Sequence, residues 1–129
     1  APRVLTGFAA AGQPRLRPAR RAITLRHLLT HTAGFSYNTW NADIARYMEA
    51  TGLPATRSGR LAALDAPLVF DPGERWEYSI ATDWVGRAVE AAGGERLEAA
   101  VQRRLAGPLG MADTGFVPGA AQRARRARV

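Results

Sequence analysis

The chain has 129 residues, 47% of them hydrophobic, and this size supports one modest core. All 18 basic residues are arginine and the formal net charge is +7, but the dense arginine clusters lie near the two ends, so we do not expect a nucleic-acid partner. The absence of cysteine excludes disulfides and thiolate chemistry. No apolar run approaches the roughly 20 residues of a membrane span, which favours a soluble protein and slightly favours the cytoplasm.

The first 22 residues predict a short hairpin or loop. They are rich in proline, glycine and arginine, with an apolar run at residues 4–8 and a turn at residues 12–14 that leads to a second extended stretch. We expect this segment to precede a helical region at residues 23–118. Residues 119–129 are expected to form a truncated, polar, helix-prone tail.

Apolar residues recur at helical spacing from Thr24 onward, which predicts five helices. The predicted helices begin at Thr24, Asn41, Ser58, Ile80 and Leu97 and end near Gly34, Gly52, Pro67, Gly93 and Gly107. In the first helix, the spacing places Leu25, Leu28 and Leu29 on one buried face. Trp76 and Trp84 are assigned to packing by the same criterion.

Two histidines, His27 and His31, stand four residues apart on the first predicted helix. That spacing lets two imidazoles bind zinc, but a metalloprotease site also needs a glutamate beside the first histidine, where this chain has Leu28. We therefore expect hydrogen-bonding roles on the helix face or at its C-terminus. We expect neither a metal nor a cofactor.

The three serines of the chain are Ser36, Ser58 and Ser79, and none suits a nucleophile. Ser36 lies in Gly-Phe-Ser-Tyr-Asn, which lacks the final glycine of G-x-S-x-G and follows no predicted strand. Ser58 and Ser79 stand at predicted helix starts. An S-x-x-K site cannot occur because the chain has no lysine.

Three segments together carry a family resemblance. They are ITLRHLLTHTAGFSY at residues 23–37, FDPGERWEYSIATDWVGRAVE at residues 70–90 and LAGPLGMADTGF at residues 105–116. In order and spacing they resemble the serine β-lactamase and penicillin-binding-protein superfamily, specifically the class C β-lactamases and the related serine esterases. The resemblance covers about residues 4–118 and corresponds to the middle of the family's chain.

This resemblance implies a mainly α fold: the helical subdomain of the α+β serine β-lactamase/DD-peptidase-like fold, with a short N-terminal hairpin. We expect a single partial domain, whose partner is the remainder of the hydrolase domain. The serine and lysine of the family's S-x-x-K motif would lie upstream of Ala1. The K-T-G-like strand motif would lie downstream of Val129.

The segment Tyr78-Ser79-Ile80 resembles the family's tyrosine motif, which implies a catalytic phenol at Tyr78. A phenol with a pKa of about 10 is a poor base at pH 7, and in the family a nearby lysine helps the tyrosine exchange a proton with serine. The β-lactamases usually have asparagine at the third position, so Ile80 favours the esterase branch. The alternative is that Tyr78 is only an aromatic residue at the start of a helix.

The loop at residues 33–40 borders the substrate cleft in the family. The resemblance therefore implies that Phe35, Tyr37 and Trp40 line an acyl or leaving-group pocket, with Ile80 beside them. The same aromatic side chains could equally fill the core between helices. The residues themselves leave both alternatives open.

The resemblance implies a serine hydrolase for the intact protein: an esterase that acts on small carboxylic esters through an acyl-enzyme, or a β-lactamase. The chain alone, without the nucleophile, is expected to be inactive. A rival hypothesis is a non-catalytic basic helical binding module for an acidic partner, and a third is a reading frame with no function of its own. If the helices normally pack on a missing sheet, their exposed apolar faces should promote self-association.

Overall fold

The chain begins with an antiparallel hairpin in the computed structural model, which describes residues 1–127. Strand β1 (Arg3–Phe8) pairs with strand β2 (Pro14–Pro18), and a bulge shifts the register between Leu5 and Gly7. Hydrogen bonds between residues 9, 12 and 13 close the turn. The predicted hairpin is thereby confirmed.

A second layer of backbone pairing ties the hairpin to the middle of the chain. The Leu5 N–H donates to the Leu68 carbonyl at 2.7 Å, and the Leu68 N–H donates back to Arg3 at 2.9 Å. One residue further on, the Val69 N–H donates to the Gly34 carbonyl at 2.7 Å. These bonds hold the loop after the first helix against residues 68–70.

The first two helices begin where side-chain caps predict. In helix α1 (Leu25–Leu29), the Thr24 hydroxyl accepts from the His27 N–H, and in helix α2 (Ala42–Thr51), the Asn41 side chain accepts from the Ile44 N–H. Gly52 ends α2 in the left-handed conformation, with φ of 71°. The starts of both helices and the end of α2 are confirmed.

Helix α1 ends five residues before the predicted stop at Gly34, because His31 adopts a left-handed conformation with φ of 53°. The Thr32 N–H donates to the His27 carbonyl at 2.9 Å and the His31 N–H to the Leu28 carbonyl at 3.3 Å, the paired bonds of a Schellman motif. The single turn of helix buries Leu28 but leaves Leu25 and Leu29 exposed. The prediction of one buried leucine face is therefore wrong.

The prediction of a third helix between Ser58 and Pro67 is also wrong. Two 3₁₀ turns, Thr56–Ser58 and Leu61–Asp65, replace it, and the left-handed Gly59 separates them with φ of 67°. Ser58 ends the first turn, and its hydroxyl accepts from the Arg60 N–H at 3.3 Å. A hydroxyl that bonds the backbone two residues on favours a turn over a continuing helix.

The later helices are α3 (Ala81–Gly93), α4 (Leu97–Val101) and α5 (Ala120–Ala124). Gly94, with φ of 64°, follows α3 as predicted. The last predicted turn of α4 is a π-helical segment, Gln102–Ala106, instead of a regular continuation. Helix α5 forms part of the predicted tail, whose last residues, Arg128 and Val129, lie outside the described residues.

The prediction of a mainly α fold is wrong. Helical segments of all kinds hold 40% of the residues and strands 9%, so about half of the chain is turn or loop. The physical reason is the spacing of 13 glycines and 8 prolines, which stop each apolar repeat after a few turns. Backbone hydrogen bonds between loops, such as that between Val69 and Gly34, satisfy polar groups that longer helices would satisfy internally.

The chain divides into two compact units, Ala1–Val85 and Gly86–Val129. The core of the first unit collects residues from the hairpin, α1, the following loop and the start of α3; its buried members are Val4, Leu28, Ala33, Phe35, Leu68, Ile80 and Ala81. Trp84 packs against this core as predicted, but Trp76 is 66% exposed, so its assignment to packing is wrong.

In the second unit, the Glu90 carboxylate accepts the N–H of Leu97 at 2.9 Å and so links the end of α3 to the start of α4. Ion pairs join Arg103 to Glu95 and Arg125 to Asp113. None of the helices within residues 1–127 is long and apolar enough to cross a membrane.

Candidate active site

Tyr78 lies near the end of residues 70–79, which lead into α3 and which we call the tyrosine segment. The segment starts at a turn held by the buried carboxylate of Asp71, which is 1% exposed. Arg17 donates to both carboxylate oxygens, at 3.0 and 2.7 Å, and the backbone N–H of Arg20 donates at 2.8 Å. The hydrogen bonds from Arg17, and then that from Arg20, lower the pKa of Asp71 to about 2.

The loop after α1 holds the other end of this segment. The Gly73 N–H donates to the Thr32 carbonyl at 2.8 Å, and the Glu77 N–H donates to the His31 carbonyl at 2.9 Å. The Asn41 side-chain amide adds a hydrogen bond to the Glu77 carboxylate at 3.3 Å. Residues on both sides of the loop thus fix the backbone just before Tyr78.

The residues after Tyr78 are buried. Ser79 is 2% exposed, and its hydroxyl accepts from the Ala81 N–H at 3.3 Å, at the start of α3. The Ser79 N–H donates to Nδ1 of His31 at 3.3 Å. Tyr78 itself is 51% exposed, so its phenol stands at the surface next to the buried Ser79 and Ile80.

Three rings surround Tyr78, those of His31, Tyr37 and Trp40, and the four residues together form what we call the aromatic cluster. The Tyr78 ring centroid lies 4.6 Å from that of His31, 5.9 Å from that of Tyr37 and 6.1 Å from that of Trp40. Tyr37 and Trp40 pack edge to face at 5.2 Å. Trp40 is 56% exposed, so the cluster presents an apolar surface beside the phenol.

Tyr37 is a half-buried member of the cluster. Burial raises the pKa of its phenol, and the nearby Asp83 and Tyr78 add to the rise. Tyr37 therefore stays protonated across the neutral range. It can donate a hydrogen bond and offer its ring, but it cannot act as a base there.

The predicted site residues fall into two places. Tyr37, Trp40 and Tyr78 meet in the aromatic cluster, whereas Phe35 and Ile80, at 5% and 1% exposure, lie in the core. Phe35 stacks on Trp84, with ring centroids 6.3 Å apart. The structure brings the first three side chains together at the surface and leaves Phe35 and Ile80 beneath it.

The two histidines have separate partners. Nδ1 of His27 accepts from the Thr24 N–H at 3.3 Å, within the cap of α1, whereas Nδ1 of His31 accepts from Ser79. Both rings hydrogen-bond, as the sequence predicted, but His31 does so to the tyrosine segment and not to the end of its own helix. The sequence did not reveal this role of His31, because the nearest glycine, Gly34, suggested a later end of the helix and nothing near His31 pointed to residue 79.

A cavity of about 900 Å³ lies elsewhere in the first unit. Its apolar lining includes Leu28, Phe35, Leu64, Leu68 and Trp84, and it includes no member of the aromatic cluster. Leu28, Phe35 and Leu68 of this lining are also members of the buried core. The cavity is therefore separate from the rings that surround Tyr78.

Comparison with known proteins identifies the family. The model of the Beta-lactamase family matches residues 9–129. A monacolin J acid methylbutanoyltransferase of Aspergillus terreus is 45% identical over 114 residues, which are 88% of this chain and 28% of that protein. A lovastatin esterase of Penicillium rubens is 39% identical over 89% of this chain and 29% of its own length.

Solved structures agree with these relatives. The unliganded simvastatin synthase LovD of Aspergillus terreus superimposes with a TM-score of 0.88 at 43% identity, over 98% of this chain and 33% of that one. The chain thus spans less than a third of the length of these two curated relatives. With nearly its whole length matched by one family model and one solved fold, the chain belongs to the Beta-lactamase family.

Proposed function

We propose that this chain supplies the catalytic tyrosine of a serine hydrolase of the esterase or acyltransferase kind, which acts on small carboxylic esters through an acyl-enzyme. The observation that carries the proposal is the position of Tyr78. Its phenol is half exposed, while the residues on either side are fixed by hydrogen bonds and burial. A reacting group held in this way loses little freedom when the substrate binds.

In the proposed reaction, a serine outside this chain attacks the ester carbonyl, and its hydroxyl proton passes to Tyr78 in its phenolate form, which a lysine that is also outside this chain stabilises by its positive charge. Tyr78 then gives a proton to the departing alcohol oxygen, which leaves the acyl group on the serine. Water completes hydrolysis by attacking the acyl-enzyme, and a second alcohol completes acyl transfer. Both outcomes need the same tyrosine.

The aromatic cluster supports an apolar ester as the substrate. Tyr37 and Trp40 present ring surfaces beside Tyr78, and apolar acyl or alcohol groups would be removed from water against them. Phe35 and Ile80 belong to the buried core beneath these rings. We propose that they support the site by anchoring the adjacent backbone of residues 36–37 and 78–79.

Two facts favour an ester over a β-lactam. Ile80 stands at the third position of the tyrosine motif, where β-lactamases usually have asparagine. One relative is named as an acyltransferase and another as an esterase, and both kinds of enzyme handle an acyl group bound to an alcohol oxygen. A β-lactam remains the alternative substrate, so a chromogenic β-lactam belongs in the same assay.

A chimera tests the proposed role of Tyr78. This chain replaces the matching third of simvastatin synthase LovD, which supplies the remainder of the domain. We expect the chimera to hydrolyse p-nitrophenyl butyrate, and Tyr78→Phe to lower kcat by about 10² to 10⁴-fold, because the substitution keeps the ring and removes the proton carrier.

The control is Tyr47→Phe in α2, which removes a phenol outside the aromatic cluster and should leave kcat near that of the parent chimera. Activity of Tyr78→Phe within a few-fold of the parent would refute the proposed role. By itself, the 129-residue chain should show neither a burst nor turnover with the same ester, because it has no lysine for S-x-x-K. Turnover by the purified chain would contradict the missing-nucleophile argument.

A further inference from the structure

We infer that His31 is a positioning residue that fixes Tyr78 for proton transfer, an inference that rests on the catalytic role proposed for Tyr78. His31 makes three contacts with residues 77–79. Its carbonyl accepts from the Glu77 N–H at 2.9 Å, its Nδ1 accepts from the Ser79 N–H at 3.3 Å, and its ring lies 4.6 Å from that of Tyr78. One residue therefore holds both neighbours of the tyrosine and its ring.

The backbone of His31 is unusual for its residue type. It occupies the left-handed position of the Schellman motif after α1, with φ of 53°, where glycine is the common residue. It is the only residue other than glycine with positive φ among residues 1–127. Glycine would end the helix with less strain, so the requirement at this position includes the side chain.

The side chain acts through a defined tautomer. Because Nδ1 accepts the Ser79 N–H, the proton of the neutral imidazole lies on Nε2. The hydrogen bond orients the ring, and the oriented ring packs at 52° against the Tyr78 ring. The side-chain torsion of Tyr78 is thereby limited on the His31 side, while Tyr37 and Trp40 limit it elsewhere.

His27 is a natural comparison on the same helix. Its Nδ1 accepts from Thr24 within the N-terminal cap, and its ring lies near Gly73, away from residues 77–79. Glutamine commonly takes this position in a capping box, so His27→Gln keeps the cap. A variant at His27 thus perturbs α1 and leaves the three contacts of His31 with residues 77–79 in place.

Two substitutions separate the functions of His31. His31→Asn keeps a residue that tolerates positive φ and offers a side-chain oxygen near the position of Nδ1, but it removes the ring. His31→Gly keeps only the backbone conformation. Both variants should retain the Schellman motif, so a purely structural role in ending α1 would leave Tyr78 undisturbed.

The first measurement is NMR of the chain itself. We expect His31→Gly to shift the Ser79 amide and the Tyr78 ring protons, His31→Asn to shift the ring protons and largely restore the amide, and His27→Gln to change neither. Far-UV circular dichroism checks that the helices persist. Unchanged Tyr78 ring protons in His31→Gly would overturn the inference.

The second measurement uses the LovD chimera and decides the question if the isolated chain gives poor spectra. His31→Gly should lower kcat by about 10 to 10²-fold with KM nearly unchanged, because a displaced reacting group slows proton transfer more than it weakens binding. His31→Asn should recover part of the loss, and His27→Gln should match the parent. A change confined to KM, or an equal loss in His27→Gln, would refute positioning.

The two proposals fail in different ways. If Tyr78→Phe is as active as the parent chimera, the catalytic role of Tyr78 fails, whatever the NMR of His31 variants shows. If Tyr78→Phe is inactive and His31→Gly retains full kcat, the proposed function stands and the positioning role of His31 fails.

Discussion

Asp71 is the residue whose ionisation the fold changes most clearly. Two arginines and a backbone N–H favour its charged form and hold the pKa at about 2, compared with about 4 in an unfolded chain. Because the folded pKa is the lower one, the stabilisation is present above about pH 4 and is lost as the pH falls towards 2. The turn that begins the tyrosine segment should therefore weaken in acid.

We expect Asp71→Asn to be less stable than the parent at pH 7 and to lose much of the pH dependence between about pH 4 and 2. Urea unfolding at several pH values, followed by circular dichroism, measures both effects. Asp65→Asn is the control, since it removes an exposed carboxyl outside this ion pair. Equal acid sensitivity of Asp71→Asn and the parent would contradict the assignment.

At the scale of elements, the contact between the loop after α1 and residues 68–70 depends on Gly34. Its φ is 99°, and a Cβ atom at this position would overlap the backbone oxygen of Phe70. We expect Gly34→Ala to cost about 2 to 4 kcal/mol in the free energy of unfolding, from backbone strain together with the overlap. Denaturant unfolding of the chain measures this cost.

Gly52 supplies the matched control for Gly34. It also has positive φ, at 71°, but a Cβ atom there would meet open space. Gly52→Ala should therefore cost only the conformational term, about 1 kcal/mol. If both alanine variants lower the free energy of unfolding equally, the close approach of Gly34 to Phe70 does not contribute to stability.

The ends of the helices show how far sequence reasoning reaches at this scale. The caps at Thr24 and Asn41 and the glycine stop at Gly52 are local features, and the sequence predicted them. The end of α1 was not predictable, because His31 adopts a conformation that glycine usually takes and is held by bonds to residues 77 and 79. Contacts between distant segments leave no periodic signal in the chain.

The same distinction applies to the candidate site at the scale of the whole molecule. The resemblance named Tyr37, Trp40 and Tyr78, and the structure brings their rings together, although their roles remain predictions. Periodicity could not separate the surface position of Trp76 from the packed position of Trp84. That separation depends on which neighbouring segments cover each ring, which is a tertiary property.

Charge at the scale of the molecule gives little support to the rival hypothesis of a basic binding module. Among residues 1–127, six arginines form ion pairs with carboxylates, for example Arg17 with Asp71 and Arg103 with Glu95. Charges neutralised within the chain contribute less to the attraction of an acidic partner. Strong, steeply salt-dependent binding to an acidic polymer would favour the rival hypothesis.

Exposed apolar side chains are the last feature at this scale. In the second unit, Leu105, Leu109, Phe116 and Val117 are between 55% and 70% exposed. Since the chain spans less than a third of its curated relatives, we propose that further residues cover these side chains in a complete domain. Without that cover, water contacts a large apolar surface.

We therefore expect the isolated chain to self-associate and to bind a hydrophobic dye, because apolar surfaces of this kind leave water by contacting each other or the dye. Analytical ultracentrifugation over a range of concentrations and dye fluorescence measure the two effects. The triple substitution Leu105→Ser, Leu109→Ser and Phe116→Ser should weaken both, whereas Ala91→Ser, at an exposed small residue of α3, should change neither. A monomer with a sharp melting transition and no dye binding would show that the chain packs its apolar surface without further residues.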